Sequence, residues 1–479
     1  TLKAYILRMQ DKKEEAQETI HYIQQIDPLD YWSAAEASLS ASQGASFLKA
    51  GTNHNSKGII AIQELLEVVN NYMTIGATED ALTLLNSAIS LGEPYASNPL
   101  LYYYKAYNLL KSKNSIEFQT CLDKARSLSP LNNYPFRIEE IALFKTLLQK
   151  RPDDALLHYH LGNLLYFLGQ KESGLEHWLH ATETDPSFAI AARNVGFGYG
   201  CLNDLEKSIK YYDRAINANP NDPLLLTESD KIYEQANIPT DQRLKRLESH
   251  LKTVMKHDDA VMRLLTLYNA ESKYDKSIKI LNTRHFHLWE GGGQVHDIYA
   301  DSHILKGMQF LKRKQYKEAI REFDLANQYP SNLEVAPSPN GGYEAKIYYL
   351  SGIAYEAMKQ TDKAKICFEK SADTHFRSHL TDLNYYKIKS LRKLNRNGEA
   401  DVALSNMQKT LERILRNPTD SYAKFGEANQ NVQQSNISYY SGLIHLLQNN
   451  PSAAKNDFTQ ALQLYPGNIW AQLMNKDIH

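Results

Sequence analysis

The chain has 479 residues, with 54 Lys and Arg against 55 Asp and Glu and a formal net charge of −1. That balance exerts no long-range pull on nucleic acid or an anionic membrane, and no run approaches the ~18 consecutive apolar residues of a membrane-spanning helix. The length would imply several globular domains, unless short units stack lengthwise and each packs only on its neighbours.

The helical period dominates throughout, and no window alternates long enough to argue for a sheet. The chain opens Thr-Leu-Lys-Ala-Tyr, without Met or a signal peptide, and reads as already inside a helix, as expected of a processed or truncated N-terminus. Ala16, Ile20, Ile23 and Pro28 match the second half of a unit that becomes clear further on. A loop is expected over residues 44–58, and Ala81, Leu85 and Ala88 match another half-unit. From Pro99 the unit is fuller, with Tyr102, Ala106, Leu109, Leu122, Ala125 and Pro130, although Phe118 is large for its place. Residues 130–135 form a turn, and Pro135 suits the first position of the next helix. The clearest copy starts at Ala155 and carries His158, Leu161, Gly162, Leu165, Gly174, Trp178, Ala181 and Pro186. The next starts at Ala189 and carries Ala192, Val195, Gly196, Tyr199, Ser208, Tyr212, Ala215 and Pro220 at the same places, so that the two prolines stand 34 residues apart.

Ile238-Pro239-Thr240-Asp241 ends one helix and caps another, and a weak copy near Asp258 retains Ser277 and Leu281. Residues 284–293 are irregular and glycine-rich. The unit returns from Ala300 (His303, Gly307, Phe310, Ala319, Phe323, Ala326), from Ala345 (Tyr348, Gly352, Tyr355, Ala364, Phe368) and from Ser435 (Ser438, Gly442, His445, Ala454, Phe458, Ala461, Pro466). Polar insertions over 330–342 and 417–436 separate these copies. The sequence therefore reads as 1–131, a degenerate N-terminal part, 132–293, a central part, and 294–479, a C-terminal part, within one continuous array.

A 34-residue unit with small residues at positions 8, 20 and 27, large ones at 4, 7, 11 and 24, and Pro at 32 resembles the tetratricopeptide repeat. The small residues sit where two helix backbones approach closely, the large ones fill the space between, and Pro cannot extend the second helix. The resemblance implies an all-α fold: a right-handed superhelix, or α-solenoid, of helix-turn-helix hairpins.

It also implies that positions 2, 5, 9, 12 and 13 line a concave face. Position 5 holds Tyr103, Tyr159, Arg193, Ile304, Tyr349 and Tyr439, and position 9 holds Tyr107, Asn163, Phe197, Met308, Ile353 and Leu443. Tyr166 and Phe167 follow at 12 and 13. The expected groove is aromatic with a few polar groups, suited to an extended peptide, a loop of a partner domain or a sugar ring. In Tyr102-Tyr103, Tyr348-Tyr349 and Tyr439-Tyr440, adjacent residues lie about 100° apart on a helix, so one should pack inside and the other line the groove. Family members that grip acidic chaperone C-termini carry Lys at 5 and Asn at 9. Tyr159 replaces that Lys, so Asn163 and Arg193 make no carboxylate clamp.

The run Arg284-His285-Phe286-His287-Leu288-Trp289-Glu290-Gly291-Gly292-Gly293 departs most from the repeat. An Arg-x-Phe-His-x-Trp-Glu-Gly-Gly motif entering a repeat helix resembles a family of bacterial proteins of unknown function, with Leu288 where that family has Pro. The resemblance covers about residues 153–332. It implies an N-terminal β-sandwich domain, absent here, ahead of the superhelix, and a role in carbohydrate metabolism. His285, His287, Glu290, His296, Asp297, Asp301 and His303 all carry ligand atoms, but the reading is a structural loop with Trp289 plugging the seam. His285, His287, Trp289 and Glu290 are its candidate ligand-contact residues. No metal and no cofactor are expected, and the triple glycine lacks the Lys-Ser/Thr of a phosphate loop.

Cys121, Cys201 and Cys367 fit neither a disulfide framework nor zinc spacing and read as free, buried thiols. The cationic runs Lys245-Arg246 and Lys312-Arg313-Lys314 read as solvated surface. No Ser-His-Asp, Cys-His or metal-helix constellation stands out, so no catalytic residue is expected. The function expected is a non-catalytic scaffold that binds a partner protein, a peptide or a domain of its own polypeptide. The alternatives are an accessory superhelix of a carbohydrate-active enzyme and a direct binder of glycans or small ligands. No nucleic acid or membrane partner is expected. A soluble location is expected, the cytoplasm ahead of the periplasm.

Overall fold

In the computed structural model the described residues are 1–50, 59–111, 115–287, 294–337, 342–376, 380–416 and 430–477. They are helical hairpins with no strand among them, and they group into two compact units, Thr1–Leu202 and Asn203–His479. The boundary falls at neither position read from the sequence.

The first unit contains α1 Leu2–Met9, α2 Lys13–Ile26, α3 Tyr31–Ser40, α4 Phe47–Ala50, α5 Ile59–Thr74, α6 Thr78–Ser90, α7 Pro99–Lys111, α8 Ser115–Arg126, α9 Glu139–Lys150, α10 Ala155–Phe167, α11 Lys171–Thr184 and α12 Ala189–Cys201. The second contains α13 Leu205–Ala218, α14 Pro223–Gln235, α15 Thr240–Ser249, α16 Leu251–Val254, α17 Asp258–Ala270, α18 Tyr274–Thr283, α19 Gln294–Lys312, α20 Tyr316–Ala326, α21 Glu344–Ala357, α22 Thr361–Ala372, α23 Asp382–Lys393, α24 Asn397–Arg416, α25 Gln430–Leu447, α26 Pro451–Leu464 and α27 Ile469–Asp477.

Two local devices recur among the described hairpins. The turn between the two helices carries one left-handed residue: Gly76, Gly169, Asn237, Ser272, Lys314, Lys359, Asn395 or Asn449. The amide after it donates back to the first helix, as from Gln170 to the Leu165 carbonyl (2.9 Å) and from Gln360 to that of Tyr355 (2.9 Å), which closes the helix end. The second device is steric. A Cβ added to Gly162 would lie 2.5 Å from the Trp178 ring, and one added to Gly352 or Gly442 would lie 2.5 Å from Phe368 or Phe458. Position 8 is thus glycine because the aromatic at position 24 of the same hairpin lies flat on the backbone there.

In the second unit, the hairpin α14–α15 replaces this lock with charge. Asp230 takes both Nε (2.9 Å) and Nη2 (2.8 Å) of Arg243 and also meets Arg263, whose Nη2 lies 3.0 Å from Glu234. The Tyr465 hydroxyl, 231 residues along the chain, donates to Glu234 (2.9 Å), so the unit's last hairpin meets its first helices. Beyond that corner α27 turns inward. Ile469, Trp470 and Leu473 pack on Tyr274, Ile278 and Leu305, and Lys312 reaches Asp477 (2.6 Å). The Lys346 ammonium is buried 3.4 Å above the Trp470 ring and 2.5 Å from Asp382. The Trp470 indole N–H donates to Asp301, whose carboxyl is pushed up to about 7 by burial.

Candidate functional site

Four of the expected groove residues share one face of the first unit. Asn163 and Tyr166 come from α10, Arg193 and Phe197 from α12. Asp154 caps α10 by accepting from the Leu157 amide (3.0 Å), which fixes the register of that helix. The Asn163 carbonyl oxygen accepts from Trp178 Nε1 (2.9 Å) and from Asn194 Nδ2 (2.9 Å). Asn194 in turn accepts from Arg193 Nη1 (3.1 Å), so three polar side chains form a fixed row across two helices. Burial pushes the Tyr159 hydroxyl up, and a hydrogen bond with Asn163 opposes the shift. Tyr159 is the floor of this row rather than its surface.

Aromatic rings flank the row. Tyr166 stacks on Trp178 at 4.7 Å and meets Phe197 at 6.0 Å. The Arg193 guanidinium lies 5.7 Å over Phe197, and the Lys171 ammonium lies 6.0 Å over Tyr166. Phe197 is 41% exposed and Phe167, at the end of α10, is 71% exposed. Desolvation, with Cys201 as the nearest partner, pushes the Tyr166 hydroxyl to about 12, so it stays a neutral hydrogen-bonding group.

The other tyrosines require a correction. Tyr103, Tyr159 and Tyr439 are buried rather than lining an open face, and Tyr349, also buried, shows only an edge to a concavity. Position 5 points at the next layer, and a ring as long as tyrosine reaches it. Tyr103 meets Phe144 (6.3 Å), Tyr159 meets Phe188 (5.2 Å) and Tyr349 meets Tyr386 (5.6 Å). The Tyr103 hydroxyl donates to the capping Asp154 (3.2 Å). In the pair Tyr102-Tyr103 both rings are buried, whereas Tyr348 and Tyr440 are half-buried beside their buried neighbours. Tyr107 is half-buried on α7, away from the row.

The irregular run after α18 is only partly described. Trp289 and Glu290 lie outside the described residues. His285 and His287 are exposed and converge on Glu334. The neighbouring candidates are committed to packing. His296 stacks on Tyr329 (3.8 Å) and bonds to the Gln328 carbonyl, and His303 is buried against Glu322 (2.6 Å).

A second concavity went unread in the sequence. Tyr349, Tyr385, Lys389, Arg392, Lys393, Leu446, Leu447 and Asn449 enclose about 330 Å3. Tyr385, Lys389, Arg392 and Lys393 occupy positions 5, 9, 12 and 13 of a repeat that starts at Thr381. Burial, then Lys393 and Arg392, hold the Lys389 ammonium below its ordinary value. Ile388 at position 8 and Met407 at 27 hide this repeat from a search for small residues. Ala400 at position 20, behind Asn395 at the turn, was the available signal.

The family model for the tetratricopeptide repeat matches residues 199–222 and 345–373. Among solved structures, the chain is similar to YrrB, "a TPR protein with an unusual peptide-binding site", at 16% identity over 38% of this chain and 90% of that one, with a TM-score of 0.30. It is similar to MamA from Desulfovibrio magneticus RS-1 at 17% identity, over 40% and 93%, with a TM-score of 0.23. It is similar to the TPR domain of P58(IPK) at 12% identity, over 87% and 97%, with a TM-score of 0.21. Superpositions this loose say nothing of this chain's ligand. Among the described residues no helix is long and apolar enough to cross a membrane.

Proposed function

We propose that this chain of tetratricopeptide repeats is a non-catalytic interaction scaffold whose first unit holds an extended protein segment across α10 and α12. Tetratricopeptide repeats generally mediate contacts between proteins. One observation carries the finer reading: a fixed Asn163–Asn194–Arg193 row lies beside Tyr166, Phe197 and the strongly exposed Phe167. The Asn163 oxygen already accepts twice, so the capacity the row keeps lies on the amide nitrogens and on the second lone pair of the Asn194 oxygen. The row suits a peptide backbone, and the rings suit its apolar side chains. Exposed rings beside ordered polar groups are what an interaction surface requires.

The test is selection of peptides from a random library on the whole chain, followed by affinity measurement. Phe197→Ala and Arg193→Ala should each weaken a selected peptide by roughly 5- to 30-fold, corresponding to ~1–2 kcal/mol at an anchor. Ile116→Ala, at an 83% exposed site elsewhere, should change nothing. Equal binding by all variants would move the site. Binding of oligosaccharides but not peptides, with the same loss on Phe197→Ala, would replace the guest by a glycan. Turnover of any substrate by the chain alone would overturn the non-catalytic reading.

A further inference from the structure

We infer that His285, His287 and Glu334 form a binding site for a divalent transition-metal ion, Zn2+ above all. The three side chains each place one ligand atom within 4.8 Å of the others. Glu334 Oε1 lies 2.7 Å from His285 Nε2 and 3.9 Å from His287 Nδ1. Around an ion with bonds of about 2.0–2.1 Å, neighbouring donors stand roughly 3–3.5 Å apart, so the two carboxylate–imidazole spacings need only sub-ångström adjustment, and the imidazole pair, within 4.8 Å, closes by rotation of exposed side chains. Two imidazoles and one carboxylate select a borderline ion over Mg2+ or Ca2+, which prefer an all-oxygen shell.

The donors are held from behind. Arg284 leaves α18 in an extended conformation, so side chains two apart face the same way. Phe286 between the histidines is fully buried, which turns both imidazoles outward. The Phe286 amide donates to the Asn332 carbonyl (2.9 Å), and Asn332 Nδ2 donates back to the carbonyls of Leu281 (2.8 Å) and Arg284 (2.7 Å). The His287 amide donates to Asp258 (2.9 Å), itself gripped by Arg284 (2.6 Å). On the other side, buried Leu333 anchors the short turn Ser331–Leu333, and Glu334 is left-handed at φ 52. A non-glycine residue adopts that conformation only at a steric cost, and here it accompanies a carboxylate within reach of both rings.

Three protein donors leave a four-coordinate ion one position for water or for a carboxylate brought by another molecule, and the ion ties the segment after α18 to the turn after α20. The site stands independently of the peptide reading of the first unit.

The test uses the full chain without a histidine tag. Titration with Zn2+ by calorimetry, and with Co2+ by its visible absorption, should show one specific site, and Zn2+ should raise the midpoint of thermal unfolding. The double variant H285A/H287A should lose both effects. E334Q should weaken binding by at least the roughly 10- to 100-fold known for loss of a supporting group. All three positions are exposed, so a circular dichroism melt without metal should match the parent and report intact folding. H177A/H180A, which removes two other neighbouring histidines, should bind normally. Equal Zn2+ affinity in the parent and in H285A/H287A, or loss only in H177A/H180A, would overturn the site.

Discussion

Beside α10 and α11 the first unit stores neutral imidazoles, whereas the matching interior of the second unit stores ion pairs. His160 is fully buried between Phe144 and Tyr103 with neither ring nitrogen bonded, and burial drives it down to about 3. His177, 2.8 Å from His158, is held at about 4 by burial and by that neighbour. The second unit instead buries Asp230, Arg243, Arg263 and Glu234 as a balanced network, and Lys346 against Asp382 and Trp470. One repeat scaffold therefore supports two kinds of interior, and position 8 shows how. Glycine there lets an aromatic ring lie on the backbone, as in Gly162 with Trp178. Asp230, at position 8 of the unit from Pro223, calls two arginines into the same place.

The contrast is broken most severely at Asp230. Asp230→Ala strands two arginines, one with a side chain only 4% exposed. It is expected to destabilise the second unit by about 3–5 kcal/mol. Urea midpoints resolved by fragment should show that loss in residues 203–479; an unchanged midpoint would mean that the network contributes little.

Acid should separate the units next. For His160 the unfolded chain binds a proton near its ordinary 6.5 and the folded one only near 3, so stability falls as pH drops below 6.5. The slope approaches about 1.4 kcal/mol per pH unit for each such histidine. Asp301 has the opposite sign. Its folded value is raised from 3.8 to about 7, so its contribution is present in acid and lost as pH rises through 7. Between pH 7 and 5 the first unit should weaken while Asp301 favours the second. His160→Leu should flatten the first unit's profile, and an unaltered profile would remove His160 as its cause.

The smallest effect lies in the turns of the second unit. Lys314 and Lys359 hold left-handed conformations at φ 58 and 59, which glycine adopts freely. Lys314→Gly is expected to stabilise its hairpin by roughly 0.5–1 kcal/mol, read as a higher unfolding midpoint.

Much of the fold was legible because steric locks leave a residue-type trace: glycine at 162, 307, 352 and 442 faces an aromatic sixteen residues on. The repeats from Pro223 and Thr381 were not legible, since Asp230 and Ile388 stand where a small residue was sought. The turn residue is set by backbone conformation, and a lysine there leaves no compositional sign. Asn163, Tyr166, Arg193 and Phe197 were placed together by register alone. Burial of Tyr103, Tyr349 and Tyr439 was missed because register gives a direction but not what the next layer offers at the end of a ring. Glu334 could not be paired with His285, since 49 residues and two helices separate them.

A helix packed against the other helices of its own unit is a ligand that never leaves. Trp470 sits on Lys346, and Tyr465 is fastened to Glu234. A free molecule seeking the surface under α27 meets a covalently attached rival present at an effective concentration on the order of millimolar. Shortening the chain before Ile469 would strip away that rival and leave Asp301, Lys346 and Asp382 facing water.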